Sequence, residues 1–205
     1  MMEFLVGSGL AAAAGLNAWM PLLVLGLADR FVSAVELPGT WSWLSSDIAL
    51  WIIGVLLVVE IVADKIPAVD SVNDILQTAV RPASGGIVFG AGAASETVRV
   101  DDPASLFTDN AWVPVVIGVI LALIVHAVKA AARPVANLAT GGVAAPVLST
   151  AEDVSSLALA AAAIFLPVLA GVLLLALIVA AVVMMRRRRR TRRASRDGRA
   201  ATASL

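Results

Sequence analysis

Residues 154–185 read VSSLALAAAAIFLPVLAGVLLLALIVAAVVMM, thirty-two positions without a charge. A transmembrane helix needs about 20 mainly apolar residues to cross roughly 30 Å of hydrocarbon. As one straight helix this run would be about 48 Å long at 1.5 Å per residue, so it has to tilt, protrude or break, and Pro167 with Gly171 marks where a break falls. Working outward, three more stretches have the same character: Phe4–Leu27, Ile48–Ala63 and Ala111–Ala132. The chain is therefore expected to be all-α, a polytopic transmembrane bundle of about four spans. Its length and composition agree, with 205 residues, 60% hydrophobic and 15% charged, and a mean hydropathy of +0.94. A soluble domain carries roughly a quarter charged residues.

The zero formal charge conceals an asymmetry. Nine of the fifteen basic residues and one of the fifteen acids lie after Met185, so the body is net −8 and the tail +8. The expected organisation is a transmembrane domain over 1–185 and a disordered basic cytoplasmic tail over 186–205, held along anionic lipid at about 1 kcal/mol per basic residue. No aromatic or sequence motif accompanies the arginines in the way nucleic-acid binding requires. Counting Lys65, Arg81, Arg99 and the tail against Arg30, Lys129 and Arg133 puts both termini on the cytoplasmic side of a bacterial inner membrane. Trp41, Trp43, Trp51 and Trp112 fall near span ends, where an aromatic belt belongs.

Two linkers are uncharged and rich in small residues: PASGGIVFGAGAAS over 82–95 and PVANLATGGVAAPVLSTA over 134–151. Each follows an Arg-Pro pair, contains Gly-Gly and ends at an acid. Irregular apolar backbone has to be buried in protein or line a wet cavity. Both segments are therefore read as re-entrant loops, entering from opposite faces as in an inverted-repeat transporter.

The candidate chemistry lies in EIVADKIPAVDSVND over 60–74. Glu60 and Asp64 share one helix face at i, i+4, and Asp70 and Asp74 repeat the spacing with Asn73 alongside. Carboxylates at membrane depth pair, line a water path or bind an ion. Glu60 is the leading candidate because apolar residues flank it on both sides, whereas Asp64, Lys65, Asp70 and Asp74 can also be read as a solvated cap. His126, Lys129 and Arg133 form one stripe at i, i+3, i+7 and can serve, with Lys65 and Arg81, as counter-charges to these acids or to Glu152 and Asp153. Asn17, in the middle of the first span, needs a partner from another helix or water. Gly7, Ala11 and Gly15 make a small-residue seam that a second helix, or a second copy in a homodimer, can approach.

Enzyme chemistry finds no template. Cysteine is absent and histidine single, and no nucleophile elbow, HExxH or phosphate-loop motif occurs. The chain is read as a non-enzyme needing no cofactor. It is expected to be a small transporter or channel for a cation or proton-coupled solute. The alternatives are a membrane scaffold or accessory subunit, and then a lipid-modifying enzyme.

GLNAWMPLLVLGL (15–27), EIVADKIPAVD (60–70), AVRPASG (79–85) and STAED (149–153) together resemble a bacterial integral-membrane family catalogued as domain of unknown function 4126, over about residues 5–180. The resemblance implies a small multi-pass membrane domain without an assigned activity. Its signature positions here include Asn17, Trp19, Pro21, Glu60, Asp64, Lys65, Pro67, Asp70, Arg81, Pro82, Glu152 and Asp153. A reporter that fluoresces only in the cytoplasm, fused after Leu205, is expected to be bright in cells. Darkness with full-length product on a blot would contradict the tail-inside reading.

Overall fold

The computed structural model describes residues 2–94, 112–140 and 143–169, with 172, 175, 176 and 179 beyond them. The described residues hold six α-helices, one 3-10 turn and no strand: α1 Met2–Leu16, α2 Trp19–Phe31, the turn Ser42–Ser45, α3 Asp47–Ala63, α4 Pro67–Ala94, α5 Trp112–Thr140 and α6 Ala144–Phe165. They belong to one compact unit ending at Gly171, and a second begins at Val172. In that second unit the four described residues are helical, and the basic tail over 186–205 lies outside the described residues.

The first span is not one helix. α1 stops at Leu16 and α2 starts at Trp19, two residues before Pro21, which has no amide hydrogen to offer a preceding turn. The second span matches α3, capped by Ser46, whose hydroxyl accepts from the Ala49 amide at 3.3 Å. The third matches the start of α5, which continues through Arg133-Pro134 to Thr140. The fourth begins ten residues early, at Ala144, and ends at Phe165. There Leu166 leaves the helical region, at φ −140° and ψ 64°, in line with the α region being disfavoured before a proline, so the interruption at Pro167 is present.

The described parts of both glycine-rich linkers are helical apart from Val143. Residues 82–94 complete α4, with Pro82 inside the helix. Residues 134–140 complete α5 and 144–151 open α6. The glycines of α4 serve close helix packing instead of turns. A Cβ on Gly85 would collide with the Gly118 carbonyl and Ala122 of α5, and one on Gly118 with the Gly85 carbonyl and Phe89. The seam of α1 is likewise occupied within the chain, Gly7 by Phe89 of α4 and Gly15 by Ala122 and Val125 of α5.

These contacts fix the helix directions. Gly7 meets Phe89 and Gly15 carbonyl meets Arg81, so α4 runs antiparallel to α1. Gly15 meets Val125 and the Leu16 carbonyl meets Lys129, so α5 runs parallel to α1. Ala13 meets Ser156 and Asn17 meets Asp153, so α6 is antiparallel. α1 is the centre of this bundle, with Val6 through Leu16 buried. α3 is peripheral. It buries Ile53, Leu57 and Glu60 and exposes Trp51, Val55, Val58 and Val62. Among the described residues, two helical stretches are long and apolar enough to cross a membrane, Trp112–Arg133 and Ala145–Phe165.

Gly118→Leu should lower the stability of the detergent-solubilised protein by about 1–3 kcal/mol through overpacking. Gly54→Leu, at a position with nothing within 4 Å, should leave the thermal midpoint unchanged. Equal midpoints for the two variants would show that α4 and α5 do not approach as described.

Candidate functional site

An interrupted helix exposes amides at the start of its second half and carbonyls at the end of its first. At Asn17-Ala18 these groups are taken up by the charged side chains the sequence singles out. The Ala18 amide donates to Glu60 Oε2 at 3.1 Å, and the Trp19 and Met20 amides donate to Asn17 Oδ1 at 3.1 and 3.0 Å. The next residue is Pro21, so the opening turn of α2 has no donor left over. On the carbonyl side, Gly15 accepts from Arg81 Nη1 at 3.4 Å and Leu16 from Lys129 Nζ at 3.2 Å, while Ala13, already bonded to the Asn17 amide at 3.0 Å, also accepts from Ser156 Oγ at 2.9 Å. Ser84 Oγ donates to the Ala18 carbonyl. The signs agree with the helix dipoles: a carboxylate faces the positive N-terminal end of α2, and two cations face the negative C-terminal end of α1.

From the break the charges extend as a buried layer. Arg81 Nη2 pairs with Glu60 Oε1 at 2.9 Å and lies 3.5 Å from Asp64 Oδ2. Asp64 Oδ2 also meets Lys129 Nζ at 3.2 Å and Arg133 Nη2 at 3.3 Å. Those cations reach Glu152 Oε2 at 2.9 and 2.6 Å. Lys65 Nζ pairs with Asp153 Oδ2 at 3.2 Å, and Asn17 Nδ2 donates to Asp153 Oδ1 at 2.9 Å. Glu60, Asp64, Arg81, Lys129 and Arg133 are all at or below 5% exposure. Among the described side chains, four carboxylates and four cations are thus paired in this layer.

His126 joins this layer through Arg81. Its Nδ1 lies 3.3 Å from Arg81 Nη1 and its Nε2 3.1 Å from Thr78 Oγ1. Guanidinium can only donate, so Nδ1 accepts and the ring proton sits on Nε2. Thr78 Oγ1 in turn donates to the Asp74 carbonyl at 2.9 Å.

Ten of the sequence candidates are thus brought together: Asn17, Glu60, Asp64, Lys65, Arg81, His126, Lys129, Arg133, Glu152 and Asp153. Asp74 lies beside the layer without an ion-pair partner, its Oδ1 buried and unbonded. The side chain of Asp70 lies outside the described residues. Counting Arg81, Lys129 and Arg133 as loop cations on opposite faces is corrected by their burial on helices at one level. They carry no weight for orientation, and the opposed entry of two re-entrant units disappears with them. Asn73, noted beside the acids in the sequence, donates its Nδ2 hydrogen to Asp64 Oδ1 at 2.7 Å, and sequence reasoning missed Thr78, Ser84 and Ser156. Helical period would have found the last two, since Ser84 follows Arg81 and Ser156 follows Asp153 by three residues. No group of three or more carboxylate or imidazole side chains placed to hold a metal occurs among the described residues.

A family model for a domain of unknown function, DUF4126, matches residues 4–187. The chain belongs to the DUF4126 family. No curated protein and no solved structure matches it. In this DUF4126 chain the matched region takes in the break, the layer and every helix that contributes to them.

Removing one partner of a buried ion pair leaves an uncompensated charge and costs about 3–5 kcal/mol. Asp64→Leu removes the carboxylate that Arg81, Lys129 and Arg133 share and should lower stability by that amount in a detergent unfolding assay. Lys65→Gln opens a pair whose lysine is 36% exposed and should cost no more than about 1 kcal/mol. The reverse ranking would show that Asp64 does not hold the layer together.

Proposed function

We propose that this protein is a multi-pass membrane carrier that couples a small solute to proton movement, with Glu60 as the proton-bearing group. The observation that carries the reading is an interrupted helix and a charged layer in the middle of a bundle whose outer surface is apolar. Asn17, Arg81, His126 and Asp153 each fall near the midpoint of their helical runs. Meanwhile Trp51, Val58, Ile75, Ile120 and Val154 are exposed. Apolar outside and charged inside suits a bilayer, where lipid is the partner of the outer face. Discontinuous helices that present their ends to charge near the midplane are a recurring way to build a transport site.

The layer also has two unlike sides. On the α1 side Val6, Leu10, Val88, Phe89 and Ala122 pack with glycines into an apolar seal. On the α2 side, polar residues continue from the layer along three helices: Thr78, Gln77, Asp74 and Asn73 of α4, Arg133 of α5 and Ser149 of α6. A solute or proton would reach Glu60 along this polar stripe. A proton suits the layer better than a resident metal cation, because each carboxylate already has a cationic partner. We place the C-terminal arginine tail on the cytoplasmic side of a bacterial inner membrane.

The same complete pairing favours a second reading, a scaffold in which the charges only hold helices together. Proteoliposome flux under an imposed proton gradient separates the two. A carrier loses proton-driven flux in Glu60→Gln by at least tenfold while the variant stays folded, since glutamine still accepts the Ala18 amide but cannot carry the proton. Absence of flux for every solute tested, with wild type folded and inserted, would leave the scaffold.

A further inference from the structure

Glu60 occupies a position that a free anion could occupy. One of its oxygens takes the opening amide of α2, Ala18 N at 3.1 Å, and the other takes Arg81 Nη2 at 2.9 Å. An amide at a helix N-terminus beside a guanidinium is an anion-binding arrangement in its own right. A second observation shows that Glu60 does not use all of it. Arg81 is 0% exposed, yet its Nε has no partner. The Nε and Nη2 hydrogens form the edge of guanidinium that can take both oxygens of a carboxylate, and Glu60 bonds Nη2 while Nε stays unbonded.

We propose that the Ala18 amide and Arg81 form a carboxylate cradle in which Glu60 is the internal occupant, and that the carried solute is a small organic carboxylate that replaces Glu60 when Glu60 takes up a proton. This rests on the carrier reading and names its substrate class. The exchange balances: a proton binds the Glu60 carboxylate to give a neutral acid, which releases Arg81 and the amide. An incoming carboxylate then takes both and gains the Nε hydrogen as well. Charge selects the same partner. Glu60 is the nearest carboxylate to Arg81, at 2.9 Å against 3.5 Å for Asp64, so protonating Glu60 removes the closest compensating charge from a guanidinium in a low-dielectric interior. A carboxylate restores that charge, whereas a cation would worsen the imbalance. Proton and carboxylate therefore move one for one, with no net charge transferred.

The test uses the full chain in proteoliposomes, with radiolabelled pyruvate as the anion and rubidium and methylammonium as cations. Pyruvate uptake driven by an acidic exterior, at a rate unchanged when the membrane potential is clamped, is the expected result. In Glu60→Gln, proton-driven net uptake should fall at least tenfold while pyruvate–pyruvate exchange persists, because the cradle can still open. In Arg81→Lys, which keeps the charge but loses the fork, both activities should fall at least tenfold. Should that variant not fold, pyruvate binding to wild type is measured instead, as a rise in thermal midpoint that is larger at pH 5 than at pH 8. Proton-driven movement of rubidium or methylammonium without pyruvate would overturn the carboxylate cradle and leave the carrier reading standing. No uptake of any probe and no thermal shift with pyruvate would overturn both.

Discussion

A helix that stops inside a bundle has to give its unpaired amides and carbonyls to something, and here the recipients come from four other helices. Glu60 from α3, Arg81 and Ser84 from α4, Lys129 from α5 and Ser156 from α6 all bond backbone atoms between Ala13 and Ala18. Everything else in the layer follows from that demand. Once Arg81 and Lys129 are drawn to the carbonyl end of α1, they need carboxylates, and Asp64 and Glu152 supply them. Once Asn17 has turned its oxygen to the α2 amides, its nitrogen needs an acceptor, and Asp153 is there. The network is thus an extension of the helix break and not an independent set of surface ion pairs.

The polarity of each pair is fixed by the backbone it serves. Exchanging Glu60 and Arg81 would preserve their mutual attraction but put a guanidinium against an amide and a carboxylate against a carbonyl, both repulsive. Buried ion pairs are weak sources of stability on their own, because desolvation offsets much of the Coulomb gain. In this layer the charges also satisfy backbone groups that would otherwise be orphaned in an apolar interior. Those groups each cost several kcal/mol when unpaired in hydrocarbon. That second role explains why eight charges are concentrated at one level while the α1 side of the bundle is almost wholly apolar.

The residues of the layer were legible in the sequence, and their arrangement was legible in part. Glu60 stood out because apolar neighbours surround it, and the 126–129–133 stripe because its spacing follows a helix. α3 and the start of α5 read correctly as helices because each is a long, mainly apolar run. α4 did not, because Pro82 and the glycines of 85–92 signal loops locally, while the structure uses those glycines to let α4 lie against α1 and α5. Only the facing helix reveals that use, and periodicity within one segment does not contain it. The break at 17–18 had a local signal, an asparagine four residues before a proline. It was outweighed by the continuity of hydropathy from Phe4 to Leu27. Lys129 and Arg133 were placed at a membrane face because a long basic chain near a helix end usually reaches water. Here they instead face Asp64 and Glu152.

The order of the chain gives the break a temporal aspect. Asn17 and Ala18 are made first, but the groups that complete them arrive over more than a hundred later residues: Glu60, then Arg81 and Ser84, then Lys129, and finally Asp153 and Ser156. Until α6 has been synthesised, Asn17 Nδ2 lacks its acceptor Asp153, and Lys129 and Arg133 lack Glu152. A chain cut short before Glu152 leaves the asparagine of its first helix break half bonded.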